Sequence, residues 1–140
     1  MDENVRRAVN SGLLIVERNI RNLIKELEHN QNSNWILQKS VNDIPEESIR
    51  KLIEKSELML TGIRRLEQTY NLEQNVVSTR WRLMNSLAEI WSVLNELTPE
   101  RLTGYGSITA GENDTLTMRI NEILALCNDM RTILADQGGS

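Results

Sequence analysis

The stretch VNSGLLIVERNIRNLIKEL, residues 9–27, decides the fold class. Val9, Leu13, Val16, Ile20, Leu23 and Leu27 recur at steps of 4, 3, 4, 3 and 4. That spacing gathers them on one flank of an α-helix, as in a heptad seam. Leu14 and Ile24 widen the stripe to what a multi-helix core requires. Gly12 costs about 1 kcal/mol relative to alanine inside a helix, and is expected where a neighbouring backbone comes close. The polar run His29 to Asn34 competes for its own backbone and should end the helix.

Working outward, the same spacing recurs three times. Residues 45–70 carry Ile49, Leu52, Ser56, Met59, Ile63, Leu66 and Tyr70, with Ile53 and Leu60 broadening the face. Asp43 suits the N-cap of this helix, Pro45 its first turn, and Glu46 and Glu47 the positive end of its dipole. Residues 72–97 carry two adjacent stripes. One runs Val76, Leu83, Leu87, Ile90, Leu94 and Leu97; the other Val77, Trp81, Met84, Ala88 and Trp91. So broad a face predicts the central, most buried helix. A last helix, capped at Asn113 or Asp114 and running to about 135, has the seam Leu116, Ile120, Ile123, Cys127, Met130 and Leu134. Trp35, Ile36, Leu37, Val41 and Ile44 are too apolar for a free loop and are expected to lie across the bundle, burying Trp35.

These segments predict an all-α, up-down-up-down four-helix bundle over residues 1–136, with a disordered tail at 137–140. The competing arrangement is an elongated helical dimer with one long central helix over 45–97. Neither Gly nor Pro lies between Gly62 and Pro99, and the seam stays in phase through Glu73, Val77, Arg80 and Met84. Against it, Asn71-Leu72-Glu73-Gln74 fits a capping box, which favours a break at Asn71.

Composition narrows the functional classes. The chain has 140 residues, 39% of them apolar and only 4% aromatic, with no Phe. Leu, Ile, Val and Met must therefore build the core. Sixteen basic and 20 acidic residues leave a net charge of −4, so a basic footprint for nucleic acid is absent. A single cysteine, Cys127, allows no intramolecular disulfide and fits a reducing compartment. The acidic start Met1-Asp2-Glu3-Asn4 does not read as a secretory signal, and no apolar run is long enough to span a bilayer. A cytoplasmic location is the default expectation.

No catalytic constellation stands out. Glu26 and His29 have the Glu-x-x-His spacing of helical di-metal bundles, but His29 is the one histidine in the chain. Glu46, Glu47, Glu54 and Glu57 loosely resemble the acidic helix of all-α nucleotide pyrophosphohydrolases. The second acidic pair such a site needs is absent, since Glu122 and Asp129 are seven apart. Cys127 falls on an apolar seam and reads as a packed thiol. No metal or cofactor is expected. The loop Arg101, Gly104, Tyr105 and Gly106 is the candidate ligand loop, because glycines let backbone amides approach an anion. It lacks P-loop spacing.

The remaining signals concern surfaces. Trp35, Trp81 and Trp91 are candidate binding anchors, since Trp is enriched at hot spots. Arg64, Arg65, Arg80 and Arg82 are candidate phosphate or acidic-partner contacts, expected to approach one another if the chain turns at Asn71. Ser56 and Arg80 stand at seam positions, and Asn10, Ser11, Asn19 and Asn22 stud the first helix, as polar residues that set register or oligomer state do. The heptad pattern is too widely shared to amount to a family resemblance. The preferred expectation is a non-enzymatic interaction protein, self-associating or docking a protein partner. Two alternatives stand beside it. One is a small ligand- or nucleotide-binding enzyme using the 101–111 loop or the acidic start of the second helix. The weaker one is an adaptor touching nucleic acid.

Overall fold

Each of the four periodic segments contains a long helix, although the third is helical only from Thr79. The computed structural model describes residues 1–29 and 32–138, the side chains of the last two excepted. The order is α1 (Glu3–Glu28), β1 (Ser33–Asn34), β2 (Lys39–Ser40), α2 (Glu46–Tyr70), α3 (Thr79–Glu96), α4 (Pro99–Leu102) and α5 (Ala110–Gly138). The all-α class holds. The chain divides into two compact units, residues 1–74 and 75–140. Of the expected tail, Gln137 and Gly138 continue α5, while Gly139 and Ser140 lie outside the described residues.

In the first unit α1 packs against α2. Asp2 caps α1, its carboxylate accepting from the Asn4 N–H at 2.7 Å. The connection is a β-hairpin pairing Ser33 with Ser40 and Asn34 with Lys39, so it turns the chain back and the two helices run antiparallel. The buried or half-buried apolar positions on α1 are Val9, Leu13, Leu14, Ile20, Ile24 and Leu27; on α2 they are Ile49, Ile53, Leu60 and Ile63, with Ser56 buried among them. Ser56 is the most buried residue described, at 2% exposed, and its hydroxyl donates to the Leu52 carbonyl at 2.7 Å. No other backbone comes close at Gly12: a Cβ placed there would meet nothing within 4 Å.

The connection corrects the expectation for residues 35–44. Trp35 is 69%, Ile36 99% and Leu37 96% exposed at the hairpin tip. The Trp35 N–H donates to the Gln38 carbonyl at 2.8 Å, leaving Ile36-Leu37 as a two-residue loop. Neither residue has positive φ. The turn is thus not one of the primed types that match strand twist, and the ladder ends after two rungs. The start of α2 also differs. Pro45, not Asp43, is the N-cap, and no side chain caps this end. A residue before proline is driven out of the helical region, so Ile44 cannot join the helix. The Asn42 side chain instead accepts from the Ile44 N–H at 3.2 Å.

Asn71 does break the helix, which removes the continuous 45–97 alternative. It adopts the left-handed conformation, φ 51°, and the Leu72 N–H reaches back to the Glu67 carbonyl at 3.1 Å. This is a Schellman closure, with Leu72 buried behind it. The capping box expected at Asn71 does not follow. Residues 72–78 run without helix, and α3 starts at Thr79, where the Ser78 hydroxyl accepts from the Trp81 N–H at 3.3 Å. Val76 and Val77 are β-branched and weak helix formers. Replacing Asn71 by valine is expected to cost about 1–2 kcal/mol, because a side chain branched at Cβ crowds the left-handed conformation. Asn71→Gly should be neutral or slightly stabilising; urea melts of the two variants test the pair.

In the second unit α3 packs against α5, with the single turn α4 between them. Cys127 on α5 donates its S–H to the Leu87 carbonyl of α3 at 3.5 Å. Pro99, just past the end of α3, lies in a small groove with Ile120. The two helices are therefore antiparallel, with Leu94 level with Ile120 and Leu87 with Cys127. These four are buried. The cap of α5 is not Asn113 or Asp114 but a reciprocal box. Thr109 Oγ1 accepts from the Glu112 N–H at 3.2 Å, and Glu112 Oε2 from the Thr109 N–H at 3.4 Å. Helix α3 is not the most buried helix, since Leu83, Ile90, Val93 and Leu97 remain exposed.

Candidate functional site

Each two-helix unit buries one heptad row per helix and leaves the neighbouring row in water. On α1 the exposed row includes Val16 and Leu23; on α2 it is Leu52, Met59 and Leu66. Three residues further along a helix is about 60° short of a full turn, so Leu23 sits beside Ile20 and Met59 beside Ser56. Both exposed rows are displaced in the same rotational sense from the buried ones. Reversing a helix's direction reverses both the sense of rotation and the side from which it is counted. In an antiparallel pair the two rows therefore share one face. The second unit repeats the arrangement, with Leu83, Ile90 and Leu97 on α3 and Ile123 and Met130 on α5. Val93, Leu126 and Ile133 extend that face around its edge.

These rows correct the seams read from sequence. Val16, Leu23, Leu52, Met59, Leu66, Ile123 and Met130 belong to the exposed face, and Leu60 and Leu124 to the interior. The signal for such a face was the width of each stripe, which exceeds what one neighbouring helix covers.

The candidate anchors fall in different units. Trp35 stands at the hairpin tip of the first unit. Trp81 and Trp91 lie ten residues apart on α3, about 15 Å along its axis. Trp81 is 61% and Trp91 41% exposed, so none of the three fills a core. The four arginines fall in different units, Arg64 and Arg65 on α2, and Arg80 and Arg82 in the first turn of α3. Among the described residues none of the four has a carboxylate within 4.0 Å. Of the polar seam residues, Ser56 is buried, Asn10 half-buried, and Ser11, Asn19, Asn22 and Arg80 are exposed.

The glycine loop forms one wall of an open cleft of about 760 Å³. Tyr105, Gly106, Ile108, Leu116, Glu112 and Arg119 are among its lining residues. Gly106 has φ 157°, a conformation L side chains rarely adopt, whereas Gly104 does not have positive φ. Tyr105 stands 90% exposed rather than packed down. Arg101 does not line the cleft and faces Glu96 at 3.8 Å. The cation that does line it, Arg119, already pairs with Glu122 at 3.2 Å.

Among the described residues no group of three His, Cys, Asp or Glu side chains is placed to hold a metal ion. His29 follows the last turn of α1, its Nδ1 2.8 Å from the Lys25 carbonyl. The acidic start of α2 is engaged locally, with Glu47 at 3.0 Å from Arg50 and 4.0 Å from Lys51. Cys127 is buried. No helix of the described chain is long and apolar enough to cross a membrane. No protein-family model, curated protein or solved structure matches the chain.

Proposed function

We propose that this chain is a non-enzymatic interaction module that works by docking the apolar faces of its helical hairpins against a protein partner. The observation that carries this reading is the exposed heptad row on each of the four long helices. Contiguous apolar surface of this kind marks a contact site in water. Heptad spacing suits a partner that is itself helical, because ridges of side chains then interdigitate. A photo-crosslinking residue placed in turn at Leu23, Leu66 and Ile90 should give discrete protein adducts in cells. The same residue at Arg21, on the charged side of α1, should give none. Absence of adducts at all three apolar positions would remove the reading.

A second reading rests on the cleft beside Gly106. Its mixed lining, with Tyr105, Ile108 and Leu116 beside Glu112 and Arg119, suits a small molecule carrying an apolar body and polar groups. Ligand that binds only the folded state raises the melting temperature by mass action. A thermal-shift panel of nucleotides, acyl carboxylates and divalent cations tests it, and a flat panel would dispose of it. The arginines at 64, 65, 80 and 82 make a nucleic-acid role a weaker proposal still. It predicts binding that is strongest at low salt.

A further inference from the structure

We infer that the α3/α5 face receives a partner's amphipathic helix whose apolar row is bordered by lysine or arginine. This rests on the interaction reading above and names the partner's chemistry. Charge around the face decides the partner. The apolar surface is Leu83, Ile90 and Leu97 on α3 and Ile123 and Met130 on α5, with Val93, Leu126 and Ile133 at its outer edges, all exposed. Four residues along a helix is one turn plus about 40°. Glu89 stands four before Val93, Glu122 four before Leu126, and Asp129 four before Ile133. Each carboxylate therefore lies just beyond the apolar edge of its own helix, away from the line where α3 meets α5. Glu96 and Asp136 follow Glu89 and Asp129 at seven residues and continue the same two borders. All five are exposed.

Two cations share this side of the unit. Arg82 opens the α3 border, and Arg119 stands near the start of the α5 row, where it pairs with Glu122 at 3.2 Å. Glu96 faces Arg101 at 3.8 Å. Among the described residues Glu89, Asp129 and Asp136 pair with no cation. Residues 75–140 hold eight acidic residues, five arginines and no lysine, a net charge of −3 for that half. A second copy of the face would bring carboxylates against carboxylates, and an acidic helix would do the same. Lysine and arginine suit both parts of the surface. Their methylene stems cover the apolar edge while their charged ends reach the carboxylates beyond it. An apolar row with basic borders thus matches the face in hydrophobicity and in sign.

Fluorescence anisotropy on the full chain tests the proposal with two labelled synthetic helices of three heptads, identical in their leucine row and bordered by lysine in one and glutamate in the other. The lysine-bordered peptide is expected to bind at least about 10-fold more tightly at low salt, and the gap should narrow as salt screens the borders. Glu89→Lys combined with Asp129→Lys should abolish the preference. Both residues are exposed, so helicity by circular dichroism should be unchanged. Ile90→Glu adds a carboxylate, yet should weaken binding of the lysine-bordered peptide at least about 10-fold, because the peptide covers the apolar row. Tighter binding to that variant would show attraction to charge alone and overturns the proposal. Equal affinity for the two peptides, weakened alike by Ile90→Glu, keeps the interaction reading and overturns the basic partner. A chain that dimerises in sedimentation equilibrium and is split by Ile90→Glu gives the face to a second copy and also overturns it. If neither peptide binds, the proposal falls, and crosslinking at Ile90 decides the interaction reading separately.

Discussion

Replacing Ser56 by leucine is expected to destabilise the α1/α2 unit by about 3 kcal/mol, although leucine is what a heptad seam would seem to ask for at that position. Ser56 is 2% exposed on the flank of α2 that packs against α1. Three added carbon atoms have no space there, so the helices must separate or the new side chain must leave its rotamer. The hydroxyl itself matters less. It bonds to the Leu52 carbonyl of its own helix at 2.7 Å. Ser56→Ala removes donor and need together, leaves nothing newly unsatisfied, and should stay within about 1 kcal/mol of wild type. Urea denaturation followed by helix signal measures both. A stable Ser56→Leu variant would mean that the helices do not meet closely at this level.

The second large effect is expected at Leu87. Truncation to alanine removes a buried side chain at the level where α3 meets Cys127, and should cost about 2–5 kcal/mol depending on how far the cavity collapses. A two-helix unit has little stability in reserve. Cys127 reports the result, since it is the single thiol of the chain and is 4% exposed. Its reaction with a thiol reagent should be slow in the wild type and limited by opening of the unit. A cost of about 3 kcal/mol raises the open population, and with it the labelling rate, about 150-fold. Labelling that is fast in the wild type, or unchanged in Leu87→Ala, would contradict the packing described for α3 and α5.

The two substitutions probe one physical point from opposite sides. A pair of helices has one line of contact, and what sits on that line must match in size across it. Cys127 against Leu87 places a small side chain opposite a large one, and Ser56 is the small buried side chain of the α1/α2 unit. Away from that line the same helices carry Leu23, Met59, Ile90 and Met130, equally apolar yet in water. Residue type alone does not separate the two sets.

How much was legible in advance follows from that. Helices α1 and α2 and the burial of Cys127 could be read from residues 3–29, 45–70 and 116–134, because a 3.6-residue period is a local property of the chain. The expected break at Asn71 occurs, but through its left-handed backbone and not through a capping box. The hairpin at Ser33–Ser40 could not be read in this way. Trp35, Ile36 and Leu37 have the composition of a core, and only the backbone path shows them at a tip. The late start of α3 was hidden for a related reason: Leu72 to Val77 kept the apolar phase, while Ser78 offered the better cap for Trp81.

By itself the amino-acid order determined that the polypeptide is helical, where α2 ends, and that each long helix has an apolar flank about two rows wide. Those follow from spacing and from capping within a few residues. Which of two adjacent rows turns inward was decided only in three dimensions. Val16 and Ile20 differ by about 40° of rotation and almost nothing in hydrophobicity. The choice belongs to the facing helix, which lies tens of residues away in sequence, as Cys127 lies 40 residues from Leu87.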